Sequence, residues 1–287
     1  MHVRKGRKSE KRMLLEFHKH CGSSPADIAE CWYDLCNSDV DDPLSAKEKT
    51  EKGFKRFLAS QCWLWARPKN TALFASRFGV CEDCVKGKHL WQWIGRIADL
   101  CSKKIVWPEW LNSEGAAMHA IAADGVDFKM WERQHAEFPV DTKAMSQKFK
   151  ACGAKCIFAL SAHHAKCVFI AGPFRGGQHD IDTFRESGLM QKMTDVNKVT
   201  IADRGFKSRF AHERKQFAHP DYMDSSELHN FKSRARLRQE THNRRLKHFQ
   251  CLATTFTNGF EKHGIALRAV AVMVQCQMDN GSPICCV

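Results

Sequence analysis

The sequence predicts an α/β protein with a helical region ahead of it, and three observations carry that expectation. Seven of the eight tryptophans (Trp32, Trp63, Trp65, Trp91, Trp93, Trp107 and Trp110) lie before residue 115, in segments whose apolar residues recur at helical spacing. Beyond that point, short apolar runs rich in β-branched and aromatic residues, bounded by turn residues, take over. They come in the order strand, strand, strand, helix, strand, helices, which predicts a sheet with helices packed on it. The expected division is a helical region over 1–115 and an α/β domain over 116–287.

In the first half, SPADIAECWYDLC offers Ser24 as an N-cap, Pro25 at the first helical position and Asp27 in the first turn. Ile28, Cys31, Trp32 and Leu35 then fall on one apolar face. Thr71 to Phe78 predicts a short helix, with Gly79 as its stop. Leu90, Trp93, Ile94 and Ile97 set out a second helix, which carries Lys86, Lys88, His89 and Arg96. The pair over 71–101 reads as a helix-turn-helix with Lys86, Lys88 and His89 on DNA, although any helical hairpin shares the pattern.

In the second half, HAIAADGVDFKM reads as a strand ending at Asp124-Gly125. CIFALSA and KCVFIAGP, separated by HHA, predict a hairpin. GGQHDIDTFRESG opens a helix with acids in its first turn, and VTIADRGF is the next strand. The basic stretch NFKSRARLRQETHNRRLKHFQCLATTF predicts a helix with Leu246, Phe249, Ala253 and Phe256 on one face.

Charge narrows the function. Lys and Arg number 45 against 32 Asp and Glu, a net charge of +13, which favours a polyanionic partner such as nucleic acid or an acidic surface. No run of 18 apolar residues occurs, so no membrane span is expected. The basic opening MHVRKGRKSEKR has no apolar segment behind it, unlike a secretory signal, and reads as a solvated tail. The fourteen cysteines are scattered through apolar segments and are expected to be reduced. Cys81-x-x-Cys84 supplies two of the four ligands that tetrahedral zinc needs, and no partner pair follows at finger spacing.

The acids carry the chemistry. Asp124 and Asp203 each follow a strand-like run and precede a turn glycine, directly or after one residue. Asp-x-Gly is also ordinary turn chemistry. Strands adjacent in one sheet would deliver both carboxylates to the same edge. Glu240 is the only acid between Phe231 and Gly259, a stretch with seven Lys and Arg, and Arg236, Glu240, Asn243 and Lys247 form one polar helical stripe. A fourth acid, Asp180, opens the helix after the hairpin, where a helix N-terminus favours an acid in any case. Clustered carboxylates repel unless cations lie between them, and hard divalent ions with oxygen ligands are the natural solution. Two such ions can clamp an in-line phosphoryl displacement.

The blocks AADGVDF, GPFRGGQHDIDTFRES, IADRGF and RLRQETHNRRLKHF resemble, in order, the motifs of PIF/Harbinger-type DDE transposases, of the DDE superfamily endonuclease kind. AVMVQCQMDNGSP resembles the end of related eukaryotic transposase-like proteins, and the resemblance spans residues 60 to 287. It implies an RNase H-like domain preceded by a helix-turn-helix. The catalytic acids fall on Asp124, Asp203 and Glu240, and the acid of the family's His-Asp motif on Asp180. All four are implied as ligands of two divalent ions, Mg2+ or Mn2+. Val126 stands where the family has Thr, Phe206 where it has Tyr, and Asp127 where the wider group often has His.

The expected function is therefore a metal-dependent DNA endonuclease and strand transferase of a transposable element, acting in the nucleus. Arg236, Arg244, Arg245 and Lys247 would join Lys86, Lys88 and His89 on double-stranded DNA. The resemblance allows a homodimer and an accessory DNA-binding protein as further partners. The alternative is a transposase-derived DNA-binding protein that no longer cuts.

Overall fold

The structure, a computed structural model, describes residues 2–38, 42–112, 118–131, 142–206, 208–282 and 284. The chain forms two compact units: 1–104 with 246–254 and 265–281, and 105–245 with 255–264 and 282–287. The stretch 116–287 thus contributes to both.

The first unit is helical, with α1 (His2–Cys21), α2 (Pro25–Asn37), α3 (Glu51–Ala66), α4 (Thr71–Phe78), α5 (Gly87–Asp99) and α6 (Cys101–Lys104). The basic N-terminal stretch is helical rather than a tail. In α2, the Ser24 hydroxyl accepts from the Asp27 N–H at 3.2 Å, and the Asp27 carboxylate accepts from the Ser24 N–H at 2.6 Å, a complete capping box. Ile28, Cys31 and Leu35 are buried as the periodicity requires. Trp32 packs on Phe54, Phe57 and Trp93, so α2, α3 and α5 share one aromatic core. Asn70 caps α4, and Gly79 ends it at φ +62°, a conformation that glycine adopts without strain.

The connection from α4 to α5 contains a 3-10 turn, Glu82–Val85. It is longer than the roughly three- to four-residue turn of a helix-turn-helix. Lys86, Lys88 and His89 are exposed. Arg96, carried by the same helix, is not: it is 3% exposed and bonds Asp42 and Glu48 at 2.9 and 2.8 Å.

The second unit holds a mixed sheet of β1 (His119–Lys129), β2 (Met145–Ser146), β3 (Ala151–Ser161), β4 (Cys167–Arg175), β5 (Val199–Ile201) and β6 (Phe217–Ala218). The path runs β2-β3-β1-β5-β6, with β4 also paired to β3. β3 and β4 form the expected hairpin. β1 is antiparallel to β3 and parallel to β5, and β5 is parallel to β6. Helices α7 (Asp180–Glu186), α8 (Leu189–Asp195), α9 (Ala211–Arg214) and α10 (Ser226–His248) complete the unit.

Period-two alternation along β1 divides the core. Ile121 and Ala123 pack with Phe184, Leu189 and Met193 of α7 and α8, whereas Ala122 packs with Ile201 and with Ala235 of α10. The sheet is thus covered on both faces, consistent with an RNase H-like nuclease domain.

Two boundaries differ from expectation. β1 runs through Asp124 to Lys129 instead of ending there, because β3 supplies partners as far as Gly153. The basic helix stops at His248; Phe249 caps a separate turn, α11 (Gln250–Ala253), and Ala253 is exposed. α12 (Phe260–Asp279) is the last helix, and in the first unit its Gln277 donates to the Gly22 carbonyl at 2.7 Å. No helix among the described residues is long and apolar enough to cross a membrane.

Candidate active site

Strand register decides where the carboxylates go. Ala122 of β1 lies opposite Ile201 of β5 in parallel pairing, so two residues further on Asp124 and Asp203 reach the same level of the sheet. Asp124 has the parity of Ala122, which places it on the α10 side. On α10, Arg236, Glu240 and Asn243 share one face, as their spacing predicted. A cavity of about 80 Å³ is lined by Asp124, Asp203, Glu240, Arg236 and Gln239 over a floor of Ala122, Ala123 and Ile201. The three acids read from the sequence thus border one space.

Asp124 is the buried member. Asn243 Nδ2 donates to its Oδ2 at 2.8 Å, and Gln239 Nε2 donates to Asn243 Oδ1 at 3.3 Å. Burial, followed by the charge of Asp180, raises the Asp124 carboxyl to about 6. Asp203 is exposed; its Oδ1 accepts its own turn's Arg204 N–H at 2.7 Å and lies 3.2 Å from Arg236 Nη2. One side chain thus bonds its own turn and borders the cavity.

Asp180 reaches Gly125 and Gly205 from the other side. With Asp124 and Asp203 it lines a polar cavity of about 510 Å³, together with Lys148, Lys155 and His179. A Cβ on Gly125 would stand 2.9 Å from Asp180 Oδ1, and one on Gly205 would stand 3.5 Å from Oδ2. Gly125 and Gly205, which follow Asp124 and Asp203, therefore make room for a third carboxylate.

That carboxylate is already paired. Lys155 Nζ donates to Asp180 Oδ1 at 2.6 Å and to the Gln178 carbonyl at 2.7 Å, and it lies 3.9 Å from Asp127 Oδ1. Ser146 Oγ donates to Asp127 Oδ2 at 3.2 Å. Lys155 is not among the expected site residues, though the sequence carries one signal for it: a lone lysine within an otherwise apolar strand, ACGAKCIFALS.

The carboxylates of Asp124, Asp203 and Glu240 suit a hard divalent cation, being oxygen donors around one polar cavity. Among the described residues no three Asp, Glu, His or Cys side chains close on a common point. Arg236 and Lys155 lie against Asp203 and Asp180. Cys81 and Cys84 approach to 3.0 Å between sulfurs without a further ligand among the described residues.

The remaining residues expected on DNA lie near the end of α10 in different surroundings. Arg244 is exposed, Arg245 donates to the Ser282 carbonyl, and Lys247 belongs to the first unit.

A family model described as DDE superfamily endonuclease matches residues 125–277, more than half of the chain. The match begins one residue after Asp124 and contains Asp180, Asp203 and Glu240. Neither the curated proteins nor the solved structures give a match. On the family match, together with a mixed sheet that brings acids of β1, the turn after β5 and α10 to one cavity, the chain belongs to the DDE superfamily endonucleases.

Proposed function

We propose that the chain is a divalent-metal-dependent DNA endonuclease and strand transferase of the PIF/Harbinger transposase type, working on double-stranded DNA in the nucleus. The observation that carries this reading is the shared cavity of Asp124, Asp203 and Glu240. A divalent cation, Mg2+ or Mn2+, held there would lower the pKa of an attacking water and stabilise a leaving oxygen, and two such ions would do both at once.

The chain's own residues set up that task. Asn243 fixes the rotamer of Asp124 through the 2.8 Å bond, and Gln239 fixes Asn243. Asp180 stands beside them across Gly125 and Gly205. Arg236 is 35% exposed and can leave Asp203 for a phosphate oxygen at little cost, because exposed ion pairs contribute only about 0–1 kcal/mol. Arg234 and Arg244 are exposed on the same helix, and Lys86, Lys88 and His89 offer a second basic patch in the helical unit.

A second reading has one observation in its favour. Lys155 and Arg236 already neutralise Asp180 and Asp203, as a transposase-derived DNA-binding protein that no longer cuts would allow. Incubation with supercoiled DNA carrying terminal inverted repeats, with and without Mn2+, separates the two. Metal-dependent nicking supports the first; binding without nicking under any metal supports the second.

A further inference from the structure

Lys155 is the least expected charge in the second unit. Its side chain is 10% exposed on β3, between β1 and β4, where its neighbours Ala154, Cys156 and Ile157 are fully buried. Its ammonium has two close acceptors, Asp180 Oδ1 at 2.6 Å and the Gln178 carbonyl at 2.7 Å, with Asp127 Oδ1 at 3.9 Å. Register holds this arrangement, since Lys155 and Asp127 are direct partners across β3 and β1.

Asp180 is fixed from the other side as well. Its two oxygens lie over Gly125 and Gly205, where Cβ atoms would stand 2.9 and 3.5 Å away. Releasing Asp180 from Lys155 would take from a largely buried ammonium its closest charged partner, leaving only Asp127 at 3.9 Å, which is costlier than releasing an exposed pair. Arg236 on Asp203 is the contrast: longer, more exposed and able to swing away. The cations paired with Asp180 and Asp203 are therefore unequal.

We propose that Lys155 is a positioning residue: with Asp180 it forms a fixed, internally neutral pair beside the cation site, and Asp180 shapes that site without being an ion ligand. This rests on the reading that Asp124, Asp203 and Glu240 hold the cation. The pair accounts for the glycines after Asp124 and Asp203, because it needs the space they leave. It also accounts for a carboxylate standing so near Asp124 without its charge being free to bind.

Mn2+ affinity, measured by isothermal titration calorimetry on wild type, Lys155→Gln, Asp180→Asn and the double variant, tests this without depending on cutting. Lys155→Gln removes a positive charge and should bind Mn2+ about tenfold more tightly. Asp180→Asn strands the ammonium and should bind about tenfold more weakly. The double variant should return to within about threefold of wild type, because a neutral pair has been replaced by a neutral pair. A double variant as weak as Asp180→Asn would make Asp180 a ligand and overturn the proposal. So would a Lys155→Gln affinity that is unchanged or lower. If either single variant fails to fold, the double variant decides alone by the same criterion. No Mn2+ binding by folded wild type would instead overturn the cation site itself, and this proposal with it.

Discussion

The Asp180 carboxylate lies where a side chain on Gly125 would begin: a Cβ there would stand 2.9 Å from Oδ1. Asp124 and Gly125 thus work as a unit, one residue carrying a carboxylate to the α10 side of the sheet and the next leaving space on the α7 side. Gly125→Ala should push Asp180 off Lys155 and lower stability by about 1–3 kcal/mol, the usual cost of overpacking. Gly205→Ala meets Asp180 at 3.5 Å, an ordinary contact, and should cost less. Urea melts of both variants check the order; equal losses would contradict it.

One substitution separates the turn contact of Asp203 from its proposed part in cation binding. Asp203→Asn keeps an oxygen for the Arg204 N–H and removes a charge beside Asp124. The metal-free variant should melt at the same or a higher temperature, because relief of repulsion offsets an exposed ion pair. The stabilisation gained from added Mn2+ should shrink, since a ligand bound only by the folded state stabilises according to its affinity. Thermal melts across a Mn2+ titration measure both. A lower metal-free melting temperature with an unchanged Mn2+ response would make Asp203 a turn residue only.

His263 gives the second unit an acid-sensitive point. It is fully buried between Phe128 and Phe256, with ring centroids at 5.3 and 5.1 Å, and burial lowers its pKa from 6.5 to about 4. Between those values the unfolded chain binds a proton that the folded chain refuses. Stability from this residue is therefore complete above pH 6.5 and falls as pH drops toward 4, by at most about 3 kcal/mol. His263→Leu should flatten the stability curve over that window, as read by denaturant melts at pH 7.5 and 4.5. An equally steep fall in the variant would assign the acid sensitivity elsewhere.

The two basic groups on and before α5 should behave in opposite ways. Replacing Lys86, Lys88 and His89 together by alanine should weaken DNA binding and leave the melting temperature within a degree or so, since all three are exposed. Arg96→Ala should cost about 3 kcal/mol of stability, because its buried guanidinium holds Asp42 and Glu48. Fluorescence anisotropy with duplex DNA, beside thermal melts, reads both. Unchanged DNA affinity in the triple variant would make α4 and α5 a structural hairpin.

Local signals were the legible ones. Ser24 with Asp27, and Gly79 after Phe78, fix helix ends through backbone N–H and carbonyl groups a few residues away, so a short window of sequence contains the whole cause. The polar stripe Arg236, Glu240 and Asn243 was legible because helical periodicity alone puts it on one face. The continuation of β1 past Asp124 was not, since its cause is β3, whose Phe158 lies opposite Asp124. The separate end of α10 and the membership of Ile265–Gly281 in the first unit depend likewise on contacts distant in sequence. Lys155 was missed for the same reason: a lysine in an apolar strand gains meaning only once Asp180 and Gln178 are beside it.

The most direct measurement is single-turnover nicking of terminal-repeat DNA at saturating Mg2+, by wild type and by Glu240→Gln. Glu240 is exposed on α10 and lines the cavity of Asp124 and Asp203, so the variant should fold and bind DNA as wild type does. Wild type should nick only with metal, and Glu240→Gln should lose at least about a hundredfold in rate, the scale seen when one transition-state stabilising contact is removed. Equal nicking by the two proteins would contradict a cutting centre at this cavity.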